Sequence, residues 1–130
     1  MSRILLVEDE DLNRTLVKAV LARAQIQAVR DAEVLDAGSL AAARQRLHDE
    51  QVDLVLLDMN LPDGNGLTLA RELAAEGRSQ GRQRPAVVAV TASVLPQDRA
   101  AAIEAGCDGF LDKPYAAADL VAVVATHLPA

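Results

Sequence analysis

Acidic residues stand where apolar runs end. "LLVEDED" carries four consecutive acids, Glu8 to Asp11, behind an apolar run, and "LVLLDMNLPDGNG" sets Asp58 between four apolar residues and a Pro/Asp/Gly/Asn/Gly turn. Farther along, "AVVAVTAS" closes on Thr91 and Ser93, and "GFLDKP" closes on Asp112, Lys113 and Pro114. Carboxylates crowded together repel one another, and their pKa values rise unless a cation joins them. An all-oxygen ligand set with room for water suits Mg²⁺, which is typically held by one or two carboxylates while it meets a phosphate. The chemistry open to these residues is binding of a cation that can meet a phosphate, provided that the fold brings Asp9 and Asp58 together.

The elements between them determine whether it does. Runs of strand length fall at Ile4–Val7, Glu33–Ala37, Asp53–Leu57, Ala86–Val90 and Asp108–Leu111. Helical spacing links Leu12/Leu16/Val20/Ala24, Leu40/Ala43/Leu47, Leu67/Ala70/Leu73 and Ala101/Ala105, and a last helix begins at Leu120/Val123/Val124. Gly77 and Gly106 read as stops for the third and fourth helices, since a left-handed residue is cheap there. Strands that alternate with helices are parallel, and strands buried on both faces read as continuous apolar runs. The expected fold is α/β, a doubly wound five-stranded parallel sheet in the flavodoxin-like order 2-1-3-4-5 with helices on both faces. Its switch point lies between the first and third strands, so Asp9 and Asp58 end neighbouring strands whose backbones are about 5 Å apart.

Composition narrows the class. With 130 residues and 51% apolar content the chain is expected to form one domain over 1–130, with no space for an output domain. One Phe, one Tyr and no Trp leave the core to Leu, Val, Ile and Ala. A net charge of −6 argues against nucleic acid as a direct ligand. No stretch suits a membrane span or a signal peptide, and a single cysteine, Cys107, cannot form an internal disulfide, so the expected setting is cytoplasmic.

Taken in order, "LLVEDE", "LVLLDMNLPDGNG", "VTAS" and "GFLDKP" resemble the receiver domain of two-component response regulators over essentially the whole chain. The resemblance implies that Asp58 is the phosphoacceptor and that Mg²⁺ is the cofactor. Asp9 would be a direct ligand, Glu8 would act through water, and the Asn60 backbone carbonyl would complete the set. It further implies that Thr91 hydrogen-bonds the phosphoryl group, that Lys113 pairs with it, that Phe110 is the aromatic switch, and that the Lys113–Pro114 bond is cis. The donor would be a histidine kinase or a histidine phosphotransfer protein. Output would pass to a downstream protein or a second copy through the face of the fourth helix, fifth strand and fifth helix, where Leu120, Val121, Val123 and Val124 form an apolar segment. Such a chain is a signalling switch that catalyses only its own phosphorylation and dephosphorylation.

Plainer readings stand beside these. Glu10 and Asp11 read as a helix start, with Asp11 a good N-cap. Thr91 alone is an ordinary β-branched strand residue, Lys113 alone a surface lysine, and Phe110 belongs to the core in either case. Cys107 reads as a small buried hydrophobe, and His48 and His127 as surface residues. The stretch Glu76–Pro85 with its arginines reads as a solvated loop, and residues 25–39 as an extended, hairpin-like edge. A phosphate-independent interaction module is the alternative, but it has no need of clustered like charges. A haloacid-dehalogenase-type hydrolase would need an acid where Asn60 stands, and an FMN-binding flavodoxin would need a Ser/Thr/Gly-rich loop after the first strand.

Overall fold

Each apolar run becomes a strand and each long strand is followed by a helix in the computed structural model, which describes residues 2–80, 84–92 and 95–128. Strand β1 (Arg3–Val7) leads to helix α1 (Asp11–Ala22) and a one-turn helix α2 (Gln27–Arg30). Strand β2 (Glu33–Ala37) leads to α3 (Leu40–Asp49). Strand β3 (Leu54–Asp58) runs into a small ladder of β4 (Asn60–Leu61) and β5 (Gly64–Asn65), then into α4 (Leu67–Gln80). Strand β6 (Ala86–Thr91) precedes α5 (Pro96–Glu104), and β7 (Gly109–Asp112) precedes α6 (Ala117–His127). The main sheet is parallel with order β2-β1-β3-β6-β7, which is 2-1-3-4-5 counted over its five strands. Among the described residues no helix is long and apolar enough to cross a membrane.

Strand alternation divides the interior into two layers. Leu5, Val7, Val55, Leu57, Val87 and Ala89 pack with α3, α4 and α5, while Ile4, Leu6, Leu54, Leu56, Val88 and Val90 pack with α1, α2 and α6. Both faces of the central strands are dry, which is why β3 reads as an unbroken apolar run. Gly106, just past α5, has φ +98, and its amide donates to the Ile103 carbonyl, so the stop expected there is the one observed.

Packing overrode several local expectations. β3 lies one residue later than Asp53–Leu57: Asp53 stands at its entrance, where its amide donates to the Arg3 carbonyl (2.9 Å), its carbonyl accepts from the Ala86 amide (3.0 Å) and its carboxylate accepts from the Arg3 amide (2.8 Å). On α1 two stripes share the helical period. Val17 and Leu21 face the core, and of the expected stripe Ala24, beyond the helix, is buried and Val20 packs on the same layer, while Leu12 and Leu16 are 68% and 54% exposed. Asp11 occupies the first helical turn and pairs with Arg14 rather than capping, and Glu10 is the cap residue. Residues 25–39 hold a helical turn, with Val29 buried, and then β2, not a hairpin. Helix α4 passes Gly77 and continues to Gln80, since a glycine costs a helix only about 1 kcal/mol. Arg84 is not a solvated loop residue: its guanidinium grips Asp108 at 2.9 and 3.0 Å, and Asp108 in turn accepts from the Val87 amide. The other two arginines of that stretch, Arg78 and Arg82, lie where no side chain is described.

The apolar segment of α6 also faces inward. Leu120 and Val124 are fully buried, and Val121 and Val123 pack half-buried on the same layer, so the segment is core and not a free surface. His127 is half-buried rather than a plain surface residue. Its Nδ1 lies 2.8 Å from the Val123 carbonyl, and its ring covers Gly109 so closely that a Cβ there would stand 2.7 Å away. His48 is exposed. Cys107 is buried, and burial first, then the Asp108 charge, pushes its thiol up to about 11.

Candidate functional site

Strand parity and register build the acidic end of the site. Glu8 continues the Ile4, Leu6 series and Asp58 the Leu54, Leu56 series, so both side chains emerge on the α1/α6 face. Val7 pairs with Leu57, which puts the next residues of these neighbouring strands side by side. Glu8 (5% exposed) and Asp58 (7%) are the buried charged residues among those described. Exposed Asp9 joins them, and a carboxylate oxygen from each of the three lies within 4.8 Å of the others.

The two buried acids of this cluster have defined neighbours. Lys113 Nζ stands 3.2 Å from Asp58 Oδ2, and the Asn60 amide donates to Asp58 Oδ1 at 3.1 Å. The Asn13 side-chain amide donates to Glu8 Oε1 at 2.7 Å, and Arg14 Nη1 donates to the Glu8 backbone carbonyl at 2.6 Å. Burial pushes the Glu8 carboxyl up from 4.5 to about 7, and its hydrogen bond to Asp58 pushes the same way. Burial opposes the charged form of Asp58 too, but hydrogen bonds from Glu8, the Asn60 amide and Lys113 outweigh it and hold Asp58 below its ordinary value. For Lys113 burial alone would lower the ammonium, and the Asp58 and Glu8 carboxylates more than reverse that. Of this acid pair Glu8 is thus the member that takes up a proton more readily, and Asp58 the one held in the ionised form.

This donor set fits Mg²⁺. It consists of hard oxygen ligands, two of them buried and one on the solvent side where water can complete an octahedron. A cation there would offset the burial that raises the Glu8 carboxyl and the smaller repulsion from Asp58.

The remaining expected residues divide between two faces. Thr91 ends β6 in the Val87, Ala89 series, and Phe110 packs on the α5 side, so this pair lies on the face opposite Glu8 and Asp58. The Lys113 amide donates to the Thr91 carbonyl at 2.8 Å, tying the ends of β6 and β7 together, and the Lys113–Pro114 bond is cis. Ser93 lies outside the described residues. Three side chains here escaped the sequence reading. Asn13 and Arg14 orient Glu8 from α1, where they read only as polar helix residues. Arg99 lays its guanidinium 5.0 Å from the Phe110 ring centroid and pairs with Asp112.

The turn after Asp58 is closed from beneath. A Cβ on Gly66 would stand 2.3 Å from the Asp58 carbonyl oxygen and 3.1 Å from Leu57 Cγ, so only glycine lets the chain return under the site. Gly66→Ala is expected to cost about 3 kcal/mol, the upper range of overpacking penalties, in urea denaturation. A loss under about 1 kcal/mol would mean that the loop shifts freely.

Comparison with known proteins agrees with this geometry. The family model of the response regulator receiver domain matches residues 4–125. The two-component response regulator ORR41 of Oryza sativa is 38% identical over 128 residues, covering 96% of this chain and 93% of that protein. The KDP operon transcriptional regulatory protein KdpE of Escherichia coli is 35% identical over 124 residues, covering 94% of this chain and 49% of that protein. The structure of Vibrio cholerae chemotaxis protein CheY4 superposes with a TM-score of 0.81 at 23% identity, covering 98% of this chain and 99% of that one. The chain belongs to the response regulator receiver domain family of two-component systems. It spans about half the length of KdpE, and a smaller part, 14%, of the aerobic respiration control sensor protein ArcB of Escherichia coli, which is 36% identical over the shared region.

Proposed function

We propose that this receiver is a phosphorylation-dependent switch that accepts a phosphoryl group on Asp58 from the phosphohistidine of a histidine kinase or histidine phosphotransfer protein. The observation that carries the reading is the buried Asp58 carboxylate, with Lys113 Nζ 3.2 Å from one oxygen and the Asn60 amide 3.1 Å from the other. Glu8, Asp9, Asp58 and the Asn60 carbonyl would hold Mg²⁺, which when bound supplies charge that offsets the phosphoryl oxygens. An Asp58 oxygen attacks phosphorus in line while the P–N bond to the donor imidazole breaks, and the electron pair of that bond returns to the ring nitrogen. Lys113 faces the same oxygens and stabilises the charge that spreads over them. Dephosphorylation is attack by water on phosphorus, which frees inorganic phosphate and restores the Asp58 carboxylate.

The donor has an approach. A largely apolar groove of about 570 Å³ runs between α1 and the start of α6, past Leu16, Val20 and Tyr115, and ends at Glu8, Asp58 and Lys113. The new acceptor oxygens on Asp58 draw the Thr91 hydroxyl from the opposite face towards the site as a donor, and Phe110 moves into the space it leaves. The output face of α5, β7 and α6 then changes, with Leu95 and Ile103 as its exposed apolar side chains in place of the buried Leu120–Val124 segment.

Incubation with acetyl phosphate and Mg²⁺ should add one phosphoryl mass, and none when the metal is chelated. Amide exchange with beryllofluoride should then change across residues 95–112. Changes confined to the loops around Asp9 and Asp58 would defeat the coupling to that face, and no mass gain would defeat the reading itself.

A further inference from the structure

The segment 58–66 carries both the Asp58 carboxylate and the Asn60 carbonyl assigned to the metal, yet beyond β3 it is only a two-residue ladder, Asn60–Leu61 against Gly64–Asn65. So small a hairpin does not hold its own attitude in water. Its base is pinned by the Asn60 amide on Asp58, by the Gly66 amide on the Met59 carbonyl at 3.0 Å, and by the Leu67 amide on Asn65 Oδ1 at 2.8 Å. Its tip is pinned to a different element. Asp63, at the turn, accepts from the Leu40 amide at 2.9 Å and the Ala41 amide at 3.1 Å, the first two N–H groups of α3. Gly64 lets the tip lie flush on that helix, since a Cβ there would stand 3.1 Å from Leu40 Cδ1.

The N-terminus of α3 is therefore satisfied by two residues with different attachments. The Ser39 side chain takes the Ala42 amide at 3.1 Å and its carbonyl takes the Ala43 amide at 3.0 Å, but Ser39 belongs to the helix, whereas Asp63 belongs to the metal-site loop. Four unpaired N–H groups at a helix start need acceptors, and an acidic side chain is the strongest available. The Leu40 and Ala41 amides hold the Asp63 carboxyl below the usual carboxylate range, so the bond joins helix to loop across neutral pH.

We propose that Asp63 is a positioning residue for the metal site: by bracing the 60–65 hairpin on α3 it holds the Asn60 carbonyl where the cation meets it. The inference rests on the assignment of Mg²⁺ to Glu8, Asp9, Asp58 and Asn60. Without the brace the hairpin pivots about its base, and ordering it on binding is charged against metal affinity. Groups that orient a metal ligand without touching the metal commonly alter affinity by 10–100-fold when removed.

Calorimetric Mg²⁺ titration of the full chain tests this with Asp63→Ala, Asp63→Asn and Ser39→Ala, each also melted without metal. Asp63→Ala should weaken Mg²⁺ binding by about tenfold, the lower end of that range. Asp63→Asn, which keeps one acceptor oxygen, should weaken it less. Ser39→Ala should lower the melting temperature, as a lost cap does, and leave Mg²⁺ affinity at the wild-type value. Both residues cap the same helix, so the contrast separates positioning from capping. Wild-type affinity in Asp63→Ala, or an equal loss in Ser39→Ala, would overturn the proposal. If Asp63→Ala does not fold, unchanged affinity in Asp63→Asn overturns it in the same way. A wild type that binds no Mg²⁺ would overturn the metal assignment, and the proposal with it.

Discussion

Asp58→Asn should take up no phosphoryl group from acetyl phosphate and Mg²⁺ while folding as well as the wild type. The amide cannot supply the anionic oxygen that attacks phosphorus, so labelling should fall by at least about 10³-fold, below detection by intact mass. Its fold should survive because the substitution removes a buried charge beside Glu8, whose own carboxyl is already pushed up by burial and by the bond to Asp58. Lys113→Ala keeps the nucleophile and loses the ammonium 3.2 Å from Asp58, so labelling should slow by about 10²-fold, the cost of one electrostatic donor. Lys113→Arg should not restore the rate, since a planar guanidinium does not occupy the place of a compact ammonium. Equal labelling of Asp58→Asn and wild type would show that the acceptor is another residue. If the wild type itself stays unlabelled, the phosphate-independent interaction module becomes the better account.

The second large effect is on stability, and its sign runs against ordinary acid denaturation. The Glu8 carboxyl lies at about 7 in the folded protein against 4.5 for an ordinary glutamate, first through burial and then through its bond to Asp58. Between those values the folded chain holds a proton that the unfolded chain has released. Metal-free stability must therefore fall as pH rises through this window, and level off above it. At about 1.4 kcal/mol per pKa unit the full change is about 3 kcal/mol. Carboxylates held below their ordinary values, Asp36, Asp63 and Asp108 among them, contribute stability that is lost only in more acid solution, so they leave this window to Glu8. Mg²⁺ competes with the Glu8 proton, so its stabilisation should be small near pH 5.5 and should grow towards pH 8. Urea denaturation at several pH values, with and without millimolar-scale Mg²⁺, reads both trends. Glu8→Gln should flatten the metal-free profile. A metal-free stability that rises from pH 5.5 to 7.5, or an Mg²⁺ effect equal at both ends, would show that Glu8 and Asp58 do not share the site as described. Asp9→Asn should lose the Mg²⁺ stabilisation while remaining folded.

Much of this site was legible before folding, and for an identifiable reason. A parallel α/β sheet forces strands to be long apolar runs and gathers their carboxyl ends at one edge, so a charged residue at such an end is conspicuous in one dimension. Glu8, Asp9, Asp58, Thr91 and Lys113 were visible in that way, and so was the strand order that makes neighbours of β1 and β3. What depended on phase or on partners from distant elements was not. The period of α1 is the same whether Leu12 and Leu16 or Val17 and Leu21 turn inward, and only the docking of that helix on the sheet, beside α6, chose the second. The α6 segment looked like a surface because its excess of valine cannot announce that two neighbouring stripes are both covered. Asn13 on Glu8, Arg99 over Phe110 and Asp63 on α3 are bonds spanning 5, 11 and 23 residues, made by side chains common on any helix or turn. The chain by itself determined which groups would meet at the strand ends, because the backbone ladder dictates that. The tertiary structure alone decided which side chains hold those groups in place, because such contacts are set by how helices settle on the sheet and leave no period in the sequence.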